Sequence, residues 1–294
     1  MLRNSPLRQQ LKNMLLRQAQ HLTPAPVWGV ASNLRYTIQR AGQWPQATFH
    51  PWRRASISRL AALKDAHRGE RCFIIGNGPS LKQTDLSRLR DEYTFGLNRI
   101  YLMFPELGFA TTYYLSINSL VIEQCTADIR SLPVPKFLSW RSHPLIQPID
   151  DDRKENDSRI DHDMAFLHTT YTGPKFARDA RGRLWEGATV TYVALQLAYH
   201  MGFQQVILIG VDHSFSTQGK PNSTVVSQGD DPDHFNASYF GKGFRWQLPD
   251  LETSERAYRM ARQNYEAAGR RVIDATIGGK LTVFKKVSYE SLFS

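Results

Sequence analysis

Three short stretches of this sequence end an apolar run in an asparagine. "IIGNGPSL" sets Asn77 between Gly76 and Gly78, ahead of Pro79 and Ser80; "YTFGLN" stops at Asn98 and "YYLSIN" at Asn118. A carboxamide carries a donor and an acceptor side by side, the combination that reads a base edge or a sugar hydroxyl. Glycines let a backbone turn sharply and approach a ligand, and a helix starting just after them would offer free N–H groups to phosphate. The stretch has neither the GxGxxG spacing of a dinucleotide site nor the GK[ST] ending of a P-loop. The purely structural alternative is a tight turn with Ser80 as helix N-cap.

Groups able to move protons come later in the chain. "QQVILIGVDHSF" places Asp212 and His213 at the end of another apolar run. The carboxylate could hold a ribose hydroxyl or a metal ion, and the imidazole could transfer a proton. Side chains alternate along a strand, so both enter one cleft only if the strand has already ended. Residues 213–250 then add Asp230, Asp231, Asp233, His234, Lys242 and Arg245 in a polar, glycine- and proline-rich stretch that also carries Phe, Tyr and Trp. So long an irregular segment inside a domain reads as a functional lid, and its aromatics argue against disorder. The acidic cluster lacks EF-hand spacing and reads as a solvated loop, so no metal site is assigned. His234, Lys242 and Arg245 are candidates to neutralise a phosphate when the lid closes.

Elements must carry these residues to one place. "CFIIG", "YTFGLN", "ATTYYLSIN" and "VPKFLSW" read as strands, and "LKQTDLSRL" as a turn and helical segment. "ATVTYVALQLAYHMGF" reads as an amphipathic helix stopped by Gly202, followed by the strand "QQVILIGVD". A helix from about Leu251 to Ala268, the strand "RRVIDAT" and a last strand within "LTVFKKVSYESLF" complete the pattern. Alternation of strand and helix predicts an α/β, Rossmann-like fold with a mostly parallel sheet and helices on both faces. Ligands of such sheets bind outside the carboxyl ends of the strands, where Asn77, Asn98 and Asn118 would converge.

Charge divides the 294 residues differently. Residues 1–70 hold eleven Lys/Arg against Asp65 and Glu70, so almost all of the +10 formal charge lies ahead of the first strand. The expected organisation is a basic, partly helical extension over 1–70 and a nucleotide-sugar-binding domain over 71–294. Leu7, Leu11, Met14, Leu15 and Leu22 recur at helical spacing among Arg8, Lys12 and Arg17. That stripe suits an anionic membrane surface, or packing on protein. A nearly neutral domain with no recognised module argues against nucleic acid. Cys72 and Cys125 sit in apolar stretches without metal spacing and read as reduced thiols, which points to the cytoplasm. No apolar run is long enough to cross a bilayer.

Together "IIGNGPSL", "LNRIY", "SINSL", "ATVTYVALQLAYHMGFQQVILIGVD" and "SYFGKG", in this order, resemble the family 42 bacterial sialyltransferases. They also resemble the broader family around them, which includes flagellin-modifying motility accessory factors and archaeal 6-hydroxymethylpterin diphosphokinase-like proteins. The resemblance runs from about Arg71 to Phe284. It implies a nucleotide, CMP in the sialyltransferases, held by Gly76, Asn77, Gly78, Pro79, Ser80, Asn98 and Asn118. A Thr-Ser-Gly that also touches the nucleotide corresponds to Thr189-Val190-Thr191. The family's catalytic histidine lies in a Tyr-Ile-Gly-His lid segment, whereas this chain reads Tyr239-Phe240-Gly241-Lys242. Lysine is a poor base at neutral pH, which leaves Lys242, His234, His213 and Asp212 as candidates for the catalytic groups.

The expectation is a glycosyltransferase of cell-surface polysaccharide or lipopolysaccharide synthesis, on the inner face of the cytoplasmic membrane. It would move a sialic-acid-like sugar from a CMP-linked or other nucleotide donor to a glycan or lipid-linked acceptor, without a cofactor. The alternatives are a Mg²⁺-dependent pyrophosphokinase acting on a pterin-like molecule, with the ion on Asp212 and lid aspartates, and a non-catalytic nucleotide-binding module.

Overall fold

The structure, a computed structural model, describes residues 38, 41–42, 44–146, 161–217 and 219–293. The basic segment over residues 7–22 lies outside them. The chain divides into Met1–Pro45 and a larger compact unit, Gln46–Ser294, which carries the strands, the helices and the crevice described below.

The frame of the larger unit is a sheet of nine strands. They are β1 (Arg71–Ile75), β2 (Tyr93–Leu97), β3 (Tyr113–Ser116), β4 (Lys136–Ser139), β5 (Met164–Thr170), β6 (Arg183–Trp185), β7 (Gln205–Ile209), β10 (Arg271–Asp274) and β11 (Lys285–Lys286); a separate pair, β8 (Thr224–Val226) and β9 (Arg245–Gln247), lies between β7 and β10 in the chain. The order across the sheet is β11-β10-β7-β1-β2-β3-β4-β5-β6, with every neighbouring pair parallel. From β1 the chain builds outward through β2 to β6, then returns to the other side of β1 with β7. A crevice must open where the order reverses, between the carboxyl ends of β1 and β7.

Alternation in the strands divides the core into two layers. Cys72 and Ile74 of β1, with Val206 and Leu208 of β7, face one cluster; Phe73, Ile75, Ile207 and Ile209 face the other. Both faces are dry, as a parallel sheet requires.

Helices cover these faces. One of them, α1 (Pro51–Leu63), belongs to this unit although its residues fall in the stretch read as an extension. It lies on β5: Trp52 stacks on Phe166 with rings 5.9 Å apart, and Ser56 Oγ accepts the Phe166 N–H at 2.9 Å. Short helices α2 (Phe104–Leu107), α3 (Ser119–Gln124) and α4 (Thr126–Ser131) come after β2 and β3. The first core layer is covered by α5 (Val190–Met201) and α6 (Leu251–Ala267). Every residue of α5 after Val190 is buried, and the helix ends at Gly202, whose φ of +98° is the left-handed cap that glycine favours. Asp250 caps α6 by accepting from the Thr253 N–H at 3.0 Å. The helix expected after β1 is instead two 3-10 turns, Pro79–Gln83 and Leu86–Leu89. Asp85 starts the second turn by accepting from the Ser87 N–H at 3.2 Å, so the stretch breaks where a continuous helix would need it to run on.

Residues 213–250 form an ordered cover rather than a linker. They contain the antiparallel pair of β8 and β9, and bury Phe235, Tyr239, Phe240, Trp246 and Leu248 against the second layer. Both cysteines are buried free thiols, and burial pushes the Cys72 thiol up. Among the described residues no helix is long and apolar enough to cross a membrane.

Candidate functional site

The carboxyl ends of β1, β2, β3, β6 and β7, the N-termini of α5 and α6, and the 213–250 cover enclose a crevice of about 250 Å³. The asparagines expected to converge there do so: Asn77, Asn98 and Asn118 all line it. They are used differently. Asn118 caps α3, its carbonyl accepting the Leu120 N–H at 2.9 Å. Asn98 adopts φ +49° and accepts from Ser116 Oγ at 3.1 Å. Asn77 is the exception, because its side-chain Oδ1 is buried and has no hydrogen-bond partner among the described residues. A buried acceptor left unpaired costs about 1–3 kcal/mol.

The glycines around Asn77 serve a neighbour as well as a ligand. A Cβ on Gly76 would collide with the Gly210 carbonyl, and one on Gly78 with the Asp212 carboxylate. Asp212 accepts from Ser80 Oγ at 2.7 Å and from the Ser80 N–H at 3.1 Å. It therefore ties the β1 turn to the end of β7 and occupies the N–H group that sequence alone offered to phosphate. Burial raises the Asp212 pKa, against the pull of the two Ser80 hydrogen bonds, and Asp274 nearby adds to the rise. Ser80 and Pro79 are not among the residues lining the crevice; Gly76, Gly78 and Asp212 are.

Asp212 and His213 both reach the crevice because β7 ends at Ile209 and the chain then turns through Gly210 and His213, at φ +63° and +55°. His213 pairs through Nε2 with Glu255 at 3.3 Å. Five described non-glycine residues have positive φ, and four of them, Asn98, Ala188, His213 and Asn222, line this crevice. Such conformations cost of order 1 kcal/mol each and gather where function fixes a geometry.

The cover contributes a hydrogen-bonded carboxylate–imidazole pair. Asp231 Oδ2 lies 2.8 Å from His234 Nδ1, and both side chains are nearly buried. A carboxylate only accepts, so Nδ1 is the donor, and in the neutral ring the lone pair lies on Nε2. The imidazole stacks on Tyr239 with centroids 4.0 Å apart and planes within 6°. Asp231 also accepts the N–H of Phe240 at 3.1 Å and of Asp233 at 2.9 Å, so the imidazole is held by a carboxylate that is itself held. The cover is pinned to the sheet by the Phe235 N–H on the Asn77 carbonyl at 2.9 Å, and by Arg99, which donates to the Tyr239 carbonyl.

Thr189 and Thr191 open α5 at the crevice, Thr189 Oγ1 accepting the Thr191 N–H at 3.3 Å. No acidic residue stands in the first turn of α5, whose N-terminal dipole suits an anion. Residues 53–218 match the family described as 6-hydroxymethylpterin diphosphokinase MptE-like. The chain belongs to the MptE-like family. In this MptE-like chain the matched stretch holds every strand-end asparagine, Thr189, Thr191 and Asp212, and stops before the Asp231–His234 pair.

Among solved structures the MAf glycosyltransferase from Magnetospirillum magneticum AMB-1 is similar over 98% of this chain, at 13% identity and a TM-score of 0.48. The chain spans 43% of that protein's length. No curated protein matches.

Lys242 is exposed and absent from the crevice lining, and Arg245 faces away to pair with Glu123 at 3.0 Å. Among the described residues no Lys or Arg lines the crevice, so an anionic ligand would rest on the α5 N-terminus and the threonine hydroxyls. Nor do three His, Cys, Asp or Glu side chains among them come together to share a metal ion. Sequence reasoning did not single out Asp231 as the partner of His234, or Glu186 at the end of β6. The i, i+3 spacing of Asp231 and His234 was the one available signal for the first.

Proposed function

We propose that this chain is a glycosyltransferase that takes a sugar from a nucleotide donor and gives it to a hydroxyl of a glycan or lipid-linked acceptor. The observation that carries the reading is that the Asp231-held His234 lines the same crevice as Asn77, whose side-chain acceptor is unpaired. Asn77, Asn98 and Asn118 would hold the base and ribose at the carboxyl ends of β1 to β3. The donor phosphate would lie at the α5 N-terminus, beside the Thr189 and Thr191 hydroxyls.

In the transfer, His234 Nε2 takes the acceptor hydroxyl proton as the new C–O bond forms at the anomeric carbon. The bond from that carbon to the phosphate oxygen breaks, and the nucleotide leaves with the electron pair. The α5 dipole, fixed before reaction, steadies the charge that develops on the phosphate. Asp231 keeps the imidazole in the tautomer that can accept, the same logic as the carboxylate of a serine-protease triad. The amphipathic stretch at residues 7–22 would suit an acceptor presented at an anionic membrane surface.

A second reading is favoured by the family description: transfer of diphosphate from ATP to a pterin-like alcohol. It would need Mg²⁺, whereas Asp212 accepts twice from Ser80 and Asp233 accepts from the Ser216 N–H at 2.6 Å. Incubation with a panel of nucleotide sugars, following release of free nucleotide with and without acceptor glycans, tests the first reading. Release that disappears in His234→Ala supports it. No release from any donor, together with AMP formation from Mg²⁺-ATP and a pterin alcohol, favours the second.

A further inference from the structure

We propose that His213, held by Glu255 beside the N-terminus of α5, is the cationic group that binds the donor phosphate in this crevice. The inference rests on the glycosyltransferase reading and deepens it by naming the partner of the leaving group.

The composition of the wall poses the problem. A transfer that expels a nucleotide must hold the charge that develops on its phosphate, and a donor fixed in place before reaction does this best. Among the described residues the crevice is lined by no lysine or arginine, whereas Glu186, Asp212, Asp233 and Asp250 all line it. The lining side chains that can become cationic are therefore two histidines, His213 and His234. His234 serves the acceptor hydroxyl as a neutral base, and a ring already protonated could not take that proton. The phosphate is left to His213.

The setting of the ring fits that part. Its side chain is only 8% exposed, and Nε2 lies 3.3 Å from Glu255 Oε1. Glu255 is steadied in turn by Arg259, whose Nη2 lies 2.6 Å from Oε2. A carboxylate only accepts, so Nε2 is the donor of that pair. Nδ1 has no hydrogen-bond partner among the described residues, and unlike the Asn77 acceptor it stays open to solvent. A phosphate oxygen also only accepts. The doubly protonated ring satisfies both neighbours, giving one N–H to Glu255 and the other to the phosphate as a charge-assisted hydrogen bond.

Tyr258 ties this ring to the start of α5. Its ring meets that of His213 edge-on, with centroids 6.2 Å apart and planes at 63°, and its hydroxyl lies 3.4 Å from Thr189 Oγ1. His213, Tyr258 and Thr189 all line the crevice, so the imidazole and the helix N-terminus border one stretch of wall. A phosphate there meets the dipole and threonine hydroxyls of α5 together with the Nδ1 donor.

The test compares each nucleotide with its own nucleoside. CMP, UDP and GDP are titrated calorimetrically without divalent metal, and cytidine, uridine and guanosine are measured by ligand-observed NMR. The wild type is expected to prefer the nucleotide that binds over its nucleoside by about a hundredfold or more. His213→Asn, an amide that tolerates the φ of +55° at this position, should cut that preference by about tenfold while nucleoside affinity stays within about twofold. If this variant fails to fold, Glu255→Gln on the surface of α6 carries the test, and the preference should fall by about threefold or more. A preference that neither variant moves, or nucleoside binding that weakens as much as nucleotide binding, overturns the assignment. So does a preference that falls in His234→Ala instead, which would exchange the two roles. Absence of binding by every bare nucleotide would sink the glycosyltransferase reading itself and take this inference with it.

Discussion

Asp231 and His234 are three residues apart, and the carboxylate Oδ2 of the first holds the imidazole Nδ1 of the second at 2.8 Å while the ring stacks on Tyr239. Stacking fixes the plane of the ring, and the hydrogen bond fixes its rotation within that plane. Among the described residues Nε2 is then the ring atom with no partner. A ring fixed in plane, rotation and tautomer is what a general base requires before its substrate arrives.

The first expected outcome is kinetic. His234→Ala should lower the turnover of nucleotide-sugar donor by about 10²- to 10⁴-fold, with a smaller loss for Asp231→Asn. Nucleotide affinity should change little in both. If His234→Ala retains wild-type turnover, the base lies elsewhere, and His213 is the next residue to replace.

A second concerns the β1 turn. In Gly78→Ala the new methyl would have to displace the Asp212 carboxylate and its bonds to Ser80. We expect a loss of about 2 kcal/mol, from overpacking and the broken hydrogen bonds. That corresponds to a fall in Tm of roughly 4–8 °C for a unit of this size. The double variant Gly78→Ala/Asp212→Ala should recover part of it, since the two residues contact each other. Strictly additive losses would contradict the contact.

The glycines also mark where the sequence stopped being legible. Strands β1, β2, β3 and β7 and helices α5 and α6 are readable from their apolar spacing, with Gly202 ending the first of the two helices. That Asn77, Asn98 and Asn118 meet is a consequence of strand ends in a parallel sheet. The partner of Gly78 is not legible, because it lies 132 residues beyond Ser80's end of the turn and reaches it only through the pairing of β1 with β7. Strand β6 has three residues, too few for a period to emerge. Helix α1 hid for another reason: its inward face mixes Trp52 and Leu60 with Arg53 and Ser56, whose polarity disguises a buried stripe.

A third outcome is the pH dependence of stability through Asp212. Its pKa is raised in the folded protein by burial, so the native state favours the protonated form. The stability this group contributes is present below the ordinary carboxylate range and is lost as pH rises through the raised native value. Asp212→Asn, which cannot ionise, should therefore gain stability relative to wild type as pH rises from about 3 towards neutrality. Urea unfolding of both proteins across that range measures the difference, and a gain in the opposite direction would contradict the raised pKa.

Every role assigned above depends on a nucleotide lying at the carboxyl ends of β1 to β3, where Asn77 completes its hydrogen bonds through the ligand. The decisive measurement is calorimetric titration of wild type and Asn77→Ala with CMP, UDP and GDP in the absence of divalent metal. One of these is expected to bind the wild type and to be weakened about tenfold or more in Asn77→Ala. Binding of ATP alone, dependent on Mg²⁺ and indifferent to Asn77, would show that the crevice is not the nucleotide-sugar site proposed for it.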